Sequence, residues 1–171
     1  MRAGEREAGM TDIQQFVMYE EEFQLISKIC ENLQKQAMAK VVYVVDKNGQ
    51  LIAATGETDN LDTTSLASLT AGNIAATGGL AKLIGEKEFA TQFHEGERDN
   101  FHISIVGSRA ILVVIFDNRT NLGLVRLRVR KSSEELEKIF KQLIAKMSKP
   151  GQENAIFSEI TDADIDNLFS E

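Results

Sequence analysis

A single cysteine, Cys30, excludes an intrachain disulfide framework. It falls at an apolar position of a helical pattern, which points to a buried, inert thiol. No apolar run approaches the roughly 20 residues that a membrane-spanning helix needs. No basic stretch followed by an apolar one marks a secretion signal at the N-terminus. A cytoplasmic protein without membrane insertion is therefore expected. Lysine and arginine form no stripe of the kind that tracks nucleic acid, so no nucleic-acid partner is expected either. The two histidines, His94 and His102, have no cysteine or aspartate at metal-ligand or catalytic-triad spacing. Both read as polar residues of strands. No catalytic residue, cofactor or metal is expected.

What the chain does have is an ordinary globular composition, 43% hydrophobic and 26% charged in 171 residues, enough for one domain with tails. Its net charge of −7 is unevenly placed. Residues 150–171 hold six acids (Glu153, Glu159, Asp162, Asp164, Asp166, Glu171) and no lysine or arginine, which leaves 19 basic against 20 acidic groups elsewhere. The last residues thus form a separate acidic element. Residues 1–16 read as a flexible leader, with Met10 as an alternative start, residues 17–149 as the domain and 150–171 as the acidic tail.

Tyr19, Phe23, Ile26, Cys30, Leu33 and Ala37 recur every three to four residues and predict an amphipathic helix over roughly 18–38. Glu20, Glu21 and Glu22 read as its solvated, dipole-compatible start. "KVVYVVD" predicts a buried strand, and Asn48-Gly49 predicts a two-residue type I′ hairpin into "QLIAATG". Asp62 or Thr63 is a candidate cap for a helix running to Leu83 or Ile84, with Gly85 as its stop. "EFATQFHEG" and "NFHISIVGS" alternate as strands, and Gly107-Ser108 marks a tight turn. The continuous apolar run "RAILVVIFD" suits a central strand covered on both faces. Asp46 and Asp117 close strands and are expected to serve turns. In "GLVRLRVRKSSEELEKIFKQLIAKM" the alternation of Val125, Leu127 and Val129 with Arg126, Arg128 and Arg130 fits a strand, yet the same residues fit a helical stripe continuing to Met147. The three arginines read as a solvated face or as a positive patch for an acidic partner. The order is α-ββ-α-βββ-α, an α/β sandwich of five mainly antiparallel strands with helices on the sheet faces.

The stretch "SLTAGNIAATGGLAKLIG", Ser68 to Gly85, is rich in glycine and carries one lysine. A phosphate-binding loop needs G-x-x-x-x-G-K-[ST] between a strand and a helix. Here Lys82 is not next to a glycine, no Ser or Thr follows it, and the segment lies inside a helical pattern. At 100° per residue, Leu66, Leu69, Asn73, Thr77, Leu80 and Ile84 share an arc expected to face the sheet. Ser68, Ala71, Gly72, Ala75, Gly78, Gly79 and Lys82 share the opposite arc, which is nearly bare of the long polar side chains that usually cover an outer face. Each interior glycine costs a helix about 1 kcal/mol relative to alanine. Such a face is expected to receive a partner's backbone closely; the alternative is packing within the domain.

The tail carries a pattern of its own. In "EITDADIDNLF", Thr161 is a candidate N-cap with Asp164 three residues on, Ile160 and Ile165 can form a hydrophobic staple, and Ile165, Leu168 and Phe169 share one face. A helix of about eight residues does not stand alone in water, so the pattern reads either as a tethered recognition helix that orders in a groove or as a solubility tail.

Taken together, "VVYVVDKNGQLIAATG", "DTTSLASLTAGNIAATGGLAKLIG", "FHEG", "LVVIFD", "LGLVRLRVRKSSEELEKIF" and the ending "DIDNLFSE" resemble the Roadblock/dynein light chain family, over about Val17 to Glu171. The resemblance implies a Roadblock, profilin-like sandwich, and it implies that the Arg-rich segment is helical from about Leu122–Gly123. It implies a homodimer in which the middle helices of two protomers lie side by side and the sheets join. The blocks closely resemble the bacterial gliding-motility members, which bind a small Ras-like GTPase, accelerate its GTP hydrolysis and help set cell polarity, with a place at a cell pole. Those members are thought to reposition the GTPase's own residues rather than insert an arginine; Arg98, Arg109 and Arg119 sit near predicted loops. The expected partner-binding residues are Ser68, Ala71, Gly72, Ala75, Gly78, Gly79 and Lys82. A scaffold or adaptor that binds a GTPase or motor without changing hydrolysis would use the same surface.

Overall fold

The computed structural model describes residues 20–147. Helix α1 spans Glu20–Gln36, α2 Thr63–Leu83 and α3 Leu122–Met147; the strands are β1 Val41–Asp46, β2 Leu51–Gly56, β3 Thr91–Glu95, β4 Asn100–Val106 and β5 Ala110–Phe116. The strands form one antiparallel sheet in the order β2-β1-β5-β4-β3. The α-ββ-α-βββ-α order matches the expectation. Leader and tail, including Ile165, Leu168 and Phe169, lie outside the described residues.

The sheet separates two cores, and the alternation of side chains along β1 shows how. Val42 and Val44 join Ile26, Cys30, Leu33, Leu112, Val114, Val129, Leu136 and Phe140 beneath α1 and α3. Val41, Tyr43 and Val45 join Ala67, Ile103, Ile111, Val113 and Ile115 on the α2 side. Strand β5 is buried along its whole length, as its unbroken apolar run predicts. Cys30 is 1% exposed, and burial pushes its thiol pKa up to about 12.

Several local features differ from the sequence reading. Glu22 is not solvated: it is 4% exposed and hydrogen-bonded by the Lys146 ammonium, whereas Phe23, expected inward, is 37% exposed. The buried line of α1 is Glu22, Ile26, Cys30 and Leu33, so the ion pair ties the start of α1 to the end of α3.

The β1–β2 connection is not a type I′ turn. Gly49 N donates to Asp46 O (2.8 Å), Asp46 N donates to Gln50 O (2.8 Å), and only Gly49 takes a positive φ, +93°. This is a type I turn closed by a glycine bulge, and the sheet register shifts between Val44 and Val45 to accommodate it. The Asp46 carboxylate fixes the choice by accepting from Asn48 N at 2.7 Å. Asp117 likewise accepts from Arg119 N, so both aspartates serve turns. Strand β3 is shorter than the alternating run 88–96.

Helix α2 starts as expected, with Asp62 accepting from Ser65 N, and Ile84 caps its end. Its orientation keeps Leu66, Asn73 and Thr77 of the predicted arc toward the sheet and corrects the rest. The buried positions are Ala67, Thr70 and Ala81, with Leu66 and Ile74 half-buried against the core. Leu69, Leu80 and Ile84, expected on the sheet, are 71%, 58% and 69% exposed. Small and hydroxyl residues face the sheet because polar anchors hold the helix there. Tyr43 Oη and Thr70 Oγ1 share a buried hydrogen bond of 2.8 Å, and Gln92 Nε2 donates to Thr77 Oγ1 at 2.8 Å while its Oε1 accepts from Asn73 Nδ2 at 3.1 Å. Helix α3 begins at Leu122, where Asn121 Oδ1 accepts from Leu124 N.

Candidate functional site

The outer face of α2 is the site built from the predicted residues. Ser68, Gly72, Ala75, Gly79 and Lys82 are exposed, and Ala71 and Gly78 are half-buried. Lys82 is the only charged side chain of the helix. A Cβ added at Gly72, Gly78 or Gly79 would meet nothing within 4 Å. These three glycines therefore answer no packing demand among the described residues, although each lowers the stability of the helix by about 1 kcal/mol.

Two of the predicted residues have an internal reason to be small. The β1–β2 turn lies against the start of this face, where a Cβ at Gly49 would come 3.5 Å from Ser68 Cα and 3.7 Å from Ala71 Cβ. Ser68 and Ala71 thus belong partly to domain packing, while Gly72, Ala75, Gly79 and Lys82 face outward.

The sequence reading missed the apolar half of the surface. Leu69, Leu80, Leu83 and Ile84 flank the small residues, with Leu83 84% exposed. Beside them, the α2-side face of β3 and β4 is incompletely covered. Leu66, Leu69, Phe101, Ile103 and His94 line a shallow groove of about 340 Å³ there. A 21-residue helix with one charge, three interior glycines and four exposed large aliphatic residues on it or just beyond its end presents an apolar, nearly uncharged outer surface. The signal was present in the sequence as leucines spread around α2 with no polar face to oppose them.

The site holds no set of groups suited to bond chemistry. His94 is exposed on β3, and His102 lies buried on the other face of the sheet. Burial, with a contribution from the charge of Arg126, holds the His102 pKa below the ordinary histidine value, so the ring is neutral. Among the described residues, no group of three His, Cys, Asp or Glu could hold a metal ion. No helix among them is long and apolar enough to cross a membrane. Of the three loop arginines, Arg119 is bound to Asp117 (Nε–Oδ1 2.9 Å) and Glu57 (3.3 Å), which raise its pKa further. Arg98 and Arg109 are exposed and make no ion pair among the described residues.

The family model of the Roadblock/LC7 domain matches residues 25–116. That span runs from α1 to the end of β5 and contains the whole of α2, and the chain belongs to this family. Among solved structures, it is similar to Myxococcus xanthus MglB, with 68% identity over 75% of this chain and 96% of that one, at a TM-score of 0.71. It is also similar to the gliding protein MglB of Thermus thermophilus, with 32% identity over 74% and 96% of the two chains and a TM-score of 0.70. An MglB with a tetrameric arrangement shares 30% identity over 74% and 96%, at a TM-score of 0.71. Comparison with curated protein sequences gave no match.

Proposed function

We propose that the protein is a gliding-motility regulator that activates a small Ras-like, MglA-like GTPase, working as a homodimer in the cytoplasm and at a cell pole. The observation that carries this reading is the outer face of α2, open around Gly72, Gly78 and Gly79 and edged by exposed leucines. Similarity to MglB proteins, one of them a gliding protein, supports the gliding-motility part of the reading, and one relative's tetrameric arrangement supports self-association. Doubling the face across a two-fold axis would create an isologous contact, and the part left uncovered would form the platform for the GTPase. With no catalytic residues of its own, the platform acts by repositioning the switch regions of the GTPase. An inserted arginine is the usual alternative, and Arg98 and Arg109 are the free candidates for it.

The experiment is GTP hydrolysis by the cognate GTPase with and without this protein. Ala75→Arg and Gly79→Arg each abolish stimulation while leaving the circular dichroism spectrum intact. Wild-type stimulation by either variant means the platform lies elsewhere. Arg98→Ala and Arg109→Ala keep most of the stimulation; a loss of roughly 1,000-fold would assign an arginine finger instead. Removal of residues 152–171 leaves the domain folded and weakens engagement of the GTPase through Ile165, Leu168 and Phe169. Unchanged affinity and kinetics would make the segment a solubility tail. Binding without any change in phosphate release would favour the scaffold reading, which uses the same surface.

A further inference from the structure

On the opposite face of the sheet from α2, a groove of about 710 Å³ runs between α3 and the β3–β4 edge. Phe93, His102 and Ser104 line its sheet side; Arg126, Leu127 and Arg130 line its helix side at one end, and Glu134 and Glu137 line it further along, Glu137 paired with Lys141 at 3.2 Å. Phe93 is 36% and Leu127 63% exposed, so the groove offers apolar surface to an occupant. Arg126, Arg128, Arg130 and Lys131 bring four cations into six residues of α3, and the next acid is Glu134. Among the described residues none of the four makes an ion pair. Arg128 Nε and Ser133 Oγ are buried without a hydrogen-bond partner. The neutral His102 beneath adds no positive charge of its own, so the cations of the groove are those of α3.

The chain itself contains a segment of the matching chemistry. Residues 159–171 carry Glu159, Asp162, Asp164, Asp166 and Glu171 without a lysine or arginine, interleaved with Ile160, Ile165, Leu168 and Phe169. The geometry allows the return. The groove flanks Arg126 to Glu137, which lies 10–21 residues before Met147, or about 15–32 Å along a helix rising 1.5 Å per residue. Ile165 follows Met147 by 18 residues, a reach of up to about 60 Å when extended. Tethering puts the segment at an effective concentration of order millimolar, so even a weak contact is populated.

We propose that residues 159–171 dock in this groove of their own protomer, at its arginine-bearing end, with the carboxylates on Arg126 and Arg130 and the apolar side chains against Phe93 and Leu127. The docked segment is withheld from any other partner until that partner competes it away, which makes the groove a regulatory site. This inference does not depend on the GTPase reading.

The test uses the full chain with Ser170→Cys carrying a nitroxide. Cys30 needs no replacement, since it is buried with its thiol protonated. The expected result is at least about twofold loss of amide NMR intensity at Phe93, His102 and Arg126–Arg130, with little at Gly72–Lys82. That loss disappears in about 1 M salt, where the screening length falls to about 3 Å, and in Arg126→Glu/Arg130→Glu. Leu168→Ser/Phe169→Ser, outside the folded domain, must release the label as well, which keeps the test independent of any misfolding of the charge-reversed protein. Absent broadening at the groove, broadening that survives both double variants, or broadening confined to α2 overturns the proposal. So does broadening that arises only between an isotope-labelled copy and a separate nitroxide-bearing copy, because the occupant is then a second molecule.

Discussion

Replacing Gly72 and Gly79 by alanine separates what α2 needs for folding from what its outer face meets. Both positions are exposed in the helix interior, and an added methyl meets nothing within 4 Å at either. Each substitution should therefore stabilise the isolated protomer by about 1 kcal/mol. The two sites are two helical turns apart and share no partner, so the effects add to about 2 kcal/mol. For a chain of this size that raises Tm by about 4–8 °C. A face that receives another backbone closely responds in the opposite sense. Each methyl then overpacks a contact at a cost of about 1–3 kcal/mol, and the dimer dissociation constant should weaken at least about tenfold, the equivalent of 1.4 kcal/mol. The assay is thermal unfolding across a wide protein concentration series, paired with sedimentation and GTP hydrolysis. Wild type gains Tm with concentration as association stabilises it; the double variant starts higher and gains less. If the variant is stabilised equally at every concentration, with association and stimulation unchanged, the glycines do not serve a contact and the reasoning fails.

Gly56 is the contrasting position. Its φ is +99°, and a Cβ there would stand 2.3 Å from Lys40 O, so Gly56→Ala should lower stability by about 3 kcal/mol or more, read from the urea midpoint. Tyr43→Phe leaves the buried Thr70 hydroxyl without its partner and should cost about 1 kcal/mol; Tyr43→Phe/Thr70→Val recovers most of it in a double-mutant cycle. The Lys146 hydrogen bond holds the Glu22 carboxyl below its ordinary value of 4.5, against the opposing effect of burial. Its contribution is complete above about pH 4.5 and is lost as pH falls through the lower folded-state value. Unfolding midpoints of Glu22→Gln should accordingly fall less than those of wild type on acidification; parallel curves would refute the coupling.

The strands were legible because β1 and β5 carry unbroken β-branched runs between turn residues, a pattern that needs no tertiary information. The first part of α3 was not legible from periodicity, since Val125, Leu127 and Val129 satisfy a strand and a helix alike; only the family resemblance pointed to Leu122. The local mark of that start was Asn121, a side-chain cap. Helix α2 was read correctly as a helix, and Leu66, Asn73 and Thr77 do face the sheet, but Leu69, Leu80 and Ile84 do not. The usual rule places leucines inward, yet Thr70 and Thr77 are held by Tyr43 and Gln92, partners distant in sequence, so Leu69 and Leu80 are left outside. The small face survived that error because glycine and alanine mark it whichever leucines lie beside it. The solvated reading of Glu22 failed for a related reason: its partner, Lys146, is 124 residues away.

That ion pair also brings together the two ends of the described residues. Because Glu22 on the first turn of α1 touches Lys146 on the last turn of α3, the fold is nearly a closed loop, missing only a short bridge between neighbouring helix ends. The order in which its elements are connected is therefore separable from the way they pack. A circularly permuted chain, bridged at this corner and opened in the exposed 84–90 connection, keeps both cores while freeing the end of α2 from the strand that follows it.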